Sequence, residues 1–456
     1  MLTVEGIQVE DALLYHRLQF AFTISFHYLF PQLTMGLALL IVFMKTLALR
    51  HGDEGYHRAA RLWIRVFAVN FAMGVVTGIP MEFQFGTNWA RFSELTGSVI
   101  GQTLALEGMF SFFLESSFIG LMLFGEKKLA PKWHFLSCIL VLLGSWLSGF
   151  FIIATHAWMQ HPVGYEIDAT GQITLTSIGA LFSNPWFFWE YTHTMLASVV
   201  TSAFVVTGVG AFYLLSKRHV DAGQRFLRVG IPAGLVASVL VAFPTGDQQA
   251  GNVARYQPPT LAAMEGLFDT QQGAGIVLVG QPNMVQRRID NPLHVPYILS
   301  LITYKRFDAE VRGMDAYAAE ELPTNVPLLY YSFHIMVGLG TIFIASTGFA
   351  WLWLRRGRLF DSPRLLWVLV ALTPFPYVAT TAGWWTAELG RQPWLVYGLL
   401  RTADGVSPSV SAGNALFTLI GFVGIYFVLG VLFLALVGRI IHAGPELEPT
   451  TGSGQG

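Results

Sequence analysis

Nine stretches long and apolar enough to cross a bilayer recur along this 456-residue chain, and they leave few architectures open. A helix needs about 20 apolar residues to span the hydrocarbon core, and a longer one can tilt. The stretches lie near 18–46, 62–81, 96–124, 134–157, 187–216, 226–245, 326–354, 365–387 and 411–438. In lipid every backbone N–H and C=O has to be satisfied within the protein. The expected fold is therefore an all-α polytopic membrane protein of about nine transmembrane helices. Charged residues make up 12% of the chain, against roughly 25% in soluble domains, in keeping with that class.

Lysine and arginine sort by loop. Lys45, Arg50, Arg58, Arg61 and Arg65 share a side with Lys127, Lys128, Lys132, Lys217, Arg218, Arg225 and Arg228. Arg355, Arg356, Arg358, Arg364 and Arg439 join them, whereas the short opposite loops carry only Arg91, Arg391 and Arg401. The positive-inside rule then predicts an N-terminus outside and a C-terminus in the cytoplasm. The organisation that follows is six helices in 1–245, a long outer connection over 246–325, three helices in 326–442 and a disordered tail over 443–456. A connection that long is expected to be functional, and a short helical patch is expected around LAAMEGLF. The N-terminus has no basic region of the signal-peptide kind, so its first apolar segment is expected to be retained. A net charge of −1 gives no pull toward nucleic acid. The single cysteine, Cys138, excludes an internal disulfide and a cysteine-held iron–sulfur cluster, and the lack of C-x-x-C-H excludes c-type haem.

Ionisable and metal-ligating side chains interrupt the apolar stretches: His27 in TISFHYLF, Glu107 and Glu115 in LALEGMFSFFLESSFIG, and His193 in FWEYTHTMLAS. Met336 in YYSFHIMVGLG and Glu388 in GWWTAELGRQPW follow. Such groups cost a few kcal/mol each to bury and usually face a site, a pathway or a cofactor. Taken singly, His27 and His193 are as well explained as packed histidines, and Met336 as core filler. Depth favours a site: at about 1.5 Å per residue, His27, Glu107, His193, Met336 and Glu388 fall in one slab beneath the outer surface. His and Met hold haem iron, so His193 with Met336 suits a low-spin haem. His27 and Glu388 each suit a five-coordinate iron with a position open for oxygen. In a regular helix Glu107 and Glu115 stand about 12 Å apart along the axis and roughly 80° apart around it, an arrangement that suits a proton relay from the inner face.

Other polar groups have weaker claims. Trp384, Trp385 and Trp394 read as interfacial belt residues, and Arg391 as a partner for a haem propionate or an internal acid. His16, His51, His57, His134, His219 and His442 lie near helix ends or in loops and read as solvated; His156 and His161 receive no role. Two Glu-x-x-His motifs, Glu54 to His57 and Glu190 to His193, lie roughly a bilayer apart and cannot share a di-iron site. No adjacent histidine pair of the haem–copper kind occurs. The competing functions are a haem-containing membrane carrier or reductase that does not reduce O2, and a proton-coupled transporter. The buried glutamates argue against the first, and the His/Met combination against the second.

The blocks FHYLFPQLTMG, MEFQFGTNWARFSE, LEGMFSFFLESSFIGL, GSWLSG, AWMQHPVG, THTMLAS, QPPTLAAMEG, FHIMVGLG and GWWTAELGRQPW resemble subunit I of cytochrome bd-type quinol oxidases. The resemblance runs over nearly the whole chain, and the outer loop looks like the short type of the cyanide-insensitive branch. It implies a terminal oxidase of the bacterial plasma (inner) membrane that oxidises ubiquinol or menaquinol and reduces O2 to water. It implies protons taken from the cytoplasm without pumping. Three non-covalent haems are implied: a low-spin haem b on His193 and Met336, then a high-spin haem b and a haem d (or a third haem b) on His27 and Glu388, in either order. Glu107 matches the acid beside the oxygen-reactive haem and Glu115 the next member of its proton path. Glu82 and Arg391 match residues close to the haems, and Gln257 and Glu265 match quinol-oxidation positions. A membrane-embedded subunit II is implied as partner, with small single-span subunits as optional ones. The sequence departs from the family in two places. Thr260 stands where lysine is common, removing a cation from the quinol contact. His334 stands where arginine is common, which leaves a propionate less compensated if that histidine is neutral.

Overall fold

The computed structural model describes residues 4–445. Among them nine helices have the length and apolarity of membrane spans: Ala12–His51, Glu54–Thr87, Ala90–Phe124, Pro131–Gln160, Pro185–Leu215, Val220–Tyr256, Val326–Arg355, Pro363–Arg391 and Ala412–Ala443. The chain is an all-α polytopic membrane protein, and these helices are numbered below as the first to ninth spans. The tail over 446–456 lies outside the described residues.

The helices run past their apolar limits because polar residues close their ends. Asp53 Oδ1 accepts from the Gly55 N–H at 2.7 Å, Asn184 Oδ1 from Trp186 at 3.0 Å and Asn325 Oδ1 from Leu328 at 3.2 Å, each satisfying an end-of-helix donor. The sixth span differs most from the sequence reading. Pro244 and the polar run that follows suggest a loop from 246, yet helix resumes at Asp247 and continues to Tyr256. Phe243, which precedes the proline, leaves the helical region (φ −133°, ψ 121°), so the span kinks there instead of ending.

The fifth span is the hub, packing against the first, fourth, sixth and eighth. In its most apolar stretch 78% of residues are buried, against 6% in the ninth span, which sits at the rim. Without a hydrophobic force between helices in lipid, small residues and hydrogen bonds hold such contacts. Ser202 Oγ donates to the Leu33 carbonyl at 2.9 Å and Gln32 Nε2 to Thr201 Oγ1 at 3.1 Å, joining the first and fifth spans.

The 257–325 connection folds on one end of the bundle. It opens with the buried helix Pro258–Glu265, at the position of the predicted helical patch. Two-stranded pairings follow, Ile276–Asn283 with Arg288–Val295 and Gln271–Gln272 with Glu310–Val311. Leu261, Met264, Leu267, Leu299, Met314 and Leu329 form a small core that joins this connection to the seventh span.

Two histidines read as solvated are buried. His16 is 0% exposed and its Nδ1 accepts from Asn88 Nδ2 at 2.9 Å. His134 is 3% exposed and its Nε2 donates to the Met122 carbonyl at 2.9 Å. Helix ends here pack on one another, so nearness to a span end does not bring water.

Candidate functional site

One cavity of about 1730 Å³ is lined by all ten residues singled out above: His27, Glu82, Glu107, Glu115, His193, Gln257, Glu265, Met336, Glu388 and Arg391. Pockets for a single small molecule usually measure roughly 300–1,000 Å³, so this one has room for several groups.

His27 and His193 are held in the same way. His27 Nδ1 lies 3.0 Å from Thr77 Oγ1, and that hydroxyl donates back along its own helix to the Met73 carbonyl at 2.8 Å. His193 Nδ1 lies 3.3 Å from Thr245 Oγ1, which donates to the Leu240 carbonyl at 3.0 Å. A hydroxyl whose proton is already committed can only accept, so each imidazole carries its N–H on Nδ1. Each then keeps a lone pair on Nε2, the form in which histidine binds a metal. Thr245 stands two residues after the sixth-span kink at Phe243.

Met336 lies against the eighth span at Gly383, where a Cβ would meet Met336 Sδ at 2.7 Å. Gly78 does the same for His27, whose Cε1 would lie 2.9 Å from a Cβ there. Both glycines are therefore space for a neighbouring ligand-type side chain.

The two glutamates of the third span lean on one partner helix. Ser148 Oγ donates to Glu107 Oε1 at 2.6 Å and Ser145 Oγ to Glu115 Oε1 at 2.8 Å, both from GSWLSG in the fourth span. A regular helix would separate the glutamates by roughly 80°, but Glu107–Phe112 is π-helical. One inserted residue makes eight steps behave as about seven, bringing the pair to within about 20° of a common face. Sequence spacing alone could not show this.

The eighth span carries a charged network in which Arg391 meets an internal acid, as read from the sequence, and which extends to His156 and Glu190, which the sequence reading missed. Arg391 Nη2 donates to Glu388 Oε2 at 2.6 Å, and His156 Nε2 donates to Glu388 Oε1 at 2.9 Å. The other ring nitrogen of His156 bonds Glu190 of the fifth span. His156, His161 and Glu190 had no role in the sequence reading, although AWMQHPVG and the Glu190–His193 motif were both in view. Trp384, read as a belt residue, lines the cavity instead, its ring packed at a 34° tilt against His156 with centroids 4.7 Å apart.

Gln257 Nε2 donates to Gln160 Oε1 at 2.9 Å, tying the connection to the fourth span. Thr260 Oγ1 donates to the Gly390 carbonyl at 2.6 Å, a tether beside Arg391. Glu265 is 4% exposed, and its Oε2 has no hydrogen-bond partner among the described residues. Burial pushes its carboxyl up to about 8. His334 sits between two carbonyls, Tyr330 of its own helix at 2.8 Å and Val277 of the hairpin at 2.9 Å. His334 thus links the connection to the seventh span.

The family model for cytochrome bd terminal oxidase subunit I matches residues 15–445. The chain is 39% identical to cytochrome bd ubiquinol oxidase subunit 1 of Bacillus subtilis, covering 94% of this chain and 93% of that protein. It is 31% identical to cytochrome bd-II ubiquinol oxidase subunit 1 of Escherichia coli, over 94% and 96% respectively. Its fold superposes on the bd oxidase structure from Geobacillus thermodenitrificans with a TM-score of 0.90 at 29% identity, covering 95% of this chain and 99% of that one. With nine spans among its described residues and a family match over residues 15–445, the chain belongs to the cytochrome bd terminal oxidase subunit I family.

Proposed function

We propose that this chain is the haem-bearing, quinol-oxidising subunit of a bacterial inner-membrane terminal oxidase, with ubiquinol or menaquinol as reductant, O2 as acceptor and subunit II as partner. Family membership supports the activity of a quinol:O2 oxidoreductase. The observation that carries the finer reading is the cavity itself. Two Nε2 lone pairs, a thioether and several carboxylates converge on one space between helices.

These residues fit haem. His193 and Met336 would hold a low-spin haem b; His27 and Glu388 would each hold one high-spin haem, one of them b and the other d or b. Arg391 is 1% exposed, and its Nε and Nη1 lack partners among the described residues, as donors meant for a propionate would. Glu82 lines the same cavity. The haems, when bound, supply electron transfer and oxygen reduction.

The chain's own groups handle binding and protons. Gln257 and Glu265 would meet the quinol where the 257–325 connection bounds the cavity. Glu265 suits acceptance of a quinol hydroxyl proton because its carboxyl exchanges near pH 8. Glu115 and then Glu107 would pass protons from the cytoplasmic face into the cavity, each kept in line by a serine hydroxyl. With the N-terminus outside, protons leave on the connection side and enter from the cytoplasm, separating charge without a pump.

Purified oxidase in sealed vesicles tests this with quinol, an oxygen electrode and a pH-sensitive dye. The expected result is quinol-dependent oxygen uptake with a single proton released outside per electron. Reduction of the protein by quinol without oxygen uptake would make it a carrier instead.

A further inference from the structure

We propose that His156 is a positioning residue for Glu388, held in place by Glu190, and that this pair sets the environment of the iron that Glu388 would ligate. The inference rests on the reading of Glu388 as an iron ligand.

The geometry is specific. His156 is 5% exposed and Glu190 8% exposed, within a membrane bundle. Three spans meet at the imidazole: its own, the fifth through Glu190 and the eighth through Glu388. Both ring nitrogens face carboxylate oxygens, so both donate, and the ring has no rotational alternative that satisfies either partner. The Trp384 ring, tilted 34° to it with centroids 4.7 Å apart, packs against the imidazole and limits its remaining freedom. His156 Nε2 and Arg391 Nη2 take one oxygen of Glu388 each. A carboxylate has about four lone-pair sites, so each oxygen keeps one for the cavity. Orientation of a metal ligand by an outer partner, itself hydrogen-bonded, is a recurrent device, and losing the outer partner costs about 10–100-fold in metal-site affinity.

Hydrogen bonding supports the same role. His156 and Arg391 are the nitrogen partners of Glu388, and His156 is also the partner of Glu190. Removing His156 takes a hydrogen-bond donor from Glu388, which then gives more electron density to the iron it would ligate. That favours the oxidised iron. The connection reaches the same place through Gln160, whose Nε2 donates to the Ala387 carbonyl beside Glu388 at 3.2 Å while its Oε1 accepts from Gln257.

The test compares His156→Leu, His156→Gln, Glu190→Gln and Glu388→Ala in the assembled oxidase. Readouts are haem count, the high-spin electron paramagnetic resonance signal and the midpoint potential of each haem. His156→Leu is expected to shift the high-spin signal and favour oxidised over reduced iron about tenfold in one haem, a 59 mV fall for one electron. The low-spin haem should stay as it was. His156→Gln, which keeps a donor toward Glu388, should restore most of the signature, and Glu190→Gln should alter the same haem. Should His156→Leu fail to assemble, the nearly isosteric Glu190→Gln decides alone. An unshifted high-spin signal and potential in the assembled variants overturns the proposal. So does loss of a haem in His156→Leu that Glu388→Ala retains, since His156 would then be the ligand itself. If Glu388→Ala changes no haem signal, the ligand assignment of Glu388 falls as well.

Discussion

Met336 Sδ occupies the space that a side chain at Gly383 would need, 2.7 Å from where its Cβ would stand. The eighth span thus fixes where the seventh span's thioether points. Gly383→Ala should push Met336 aside, since overpacking a tight contact costs about 1–3 kcal/mol. We expect part of the low-spin haem to become high-spin in the optical spectrum, as it should fully in Met336→Leu. An unchanged spectrum in Met336→Leu would remove Met336 from the ligand set.

Thr77 and Thr245 fix the tautomers of His27 and His193 by accepting from Nδ1. Thr245→Val keeps the shape and removes the acceptor. It should weaken retention of the low-spin haem by about 10–100-fold, read from haem content after detergent washing. Thr77→Val should do the same to a high-spin haem and leave the low-spin one in place. Retention identical to the parent protein in both would mean that the threonines only pack.

Glu107 and Glu115 bond to serines one turn apart on the fourth span. Glu107→Ala should abolish oxygen uptake while quinol still reduces the low-spin haem. Ser148→Ala, which loosens Glu107 without removing it, should slow turnover by about tenfold or less, one neutral hydrogen bond being worth roughly 0.5–1.5 kcal/mol. Full turnover in Glu107→Ala would take this residue off the proton path.

Glu265 is raised to about 8 by burial. A base must be ionised to accept a proton, and its ionised fraction climbs about tenfold per pH unit below that value. Quinol kcat/KM should therefore rise with pH through neutrality and level off above about pH 8. Glu265→Gln should lower it and flatten the profile. A slope that survives in Glu265→Gln belongs to another group.

Much of the fold could be read in advance because apolar length alone specifies a span, and each of the nine predicted stretches matches a helix of the structure, two of them (187–216 and 411–438) overrunning it by one residue. Boundaries were missed where a polar run continues a helix, as at Asp247–Tyr256 beyond Pro244. The cavity residues were legible because ionisable groups stand out against lipid-facing sequence. His156 was not: it sits near a helix end, where histidine usually meets water, and only the packing of three spans makes it central. The angle between Glu107 and Glu115 was hidden for a different reason, since a π-helical turn has no signature in spacing.

The most direct measurement is the haem content and reduced-minus-oxidised spectrum of the oxidase containing this chain, alongside His193→Ala. The account predicts three haems in the parent protein, a sharp low-spin band, and loss of that band alone in the variant. Colourless protein, or a low-spin band that survives His193→Ala, would contradict it.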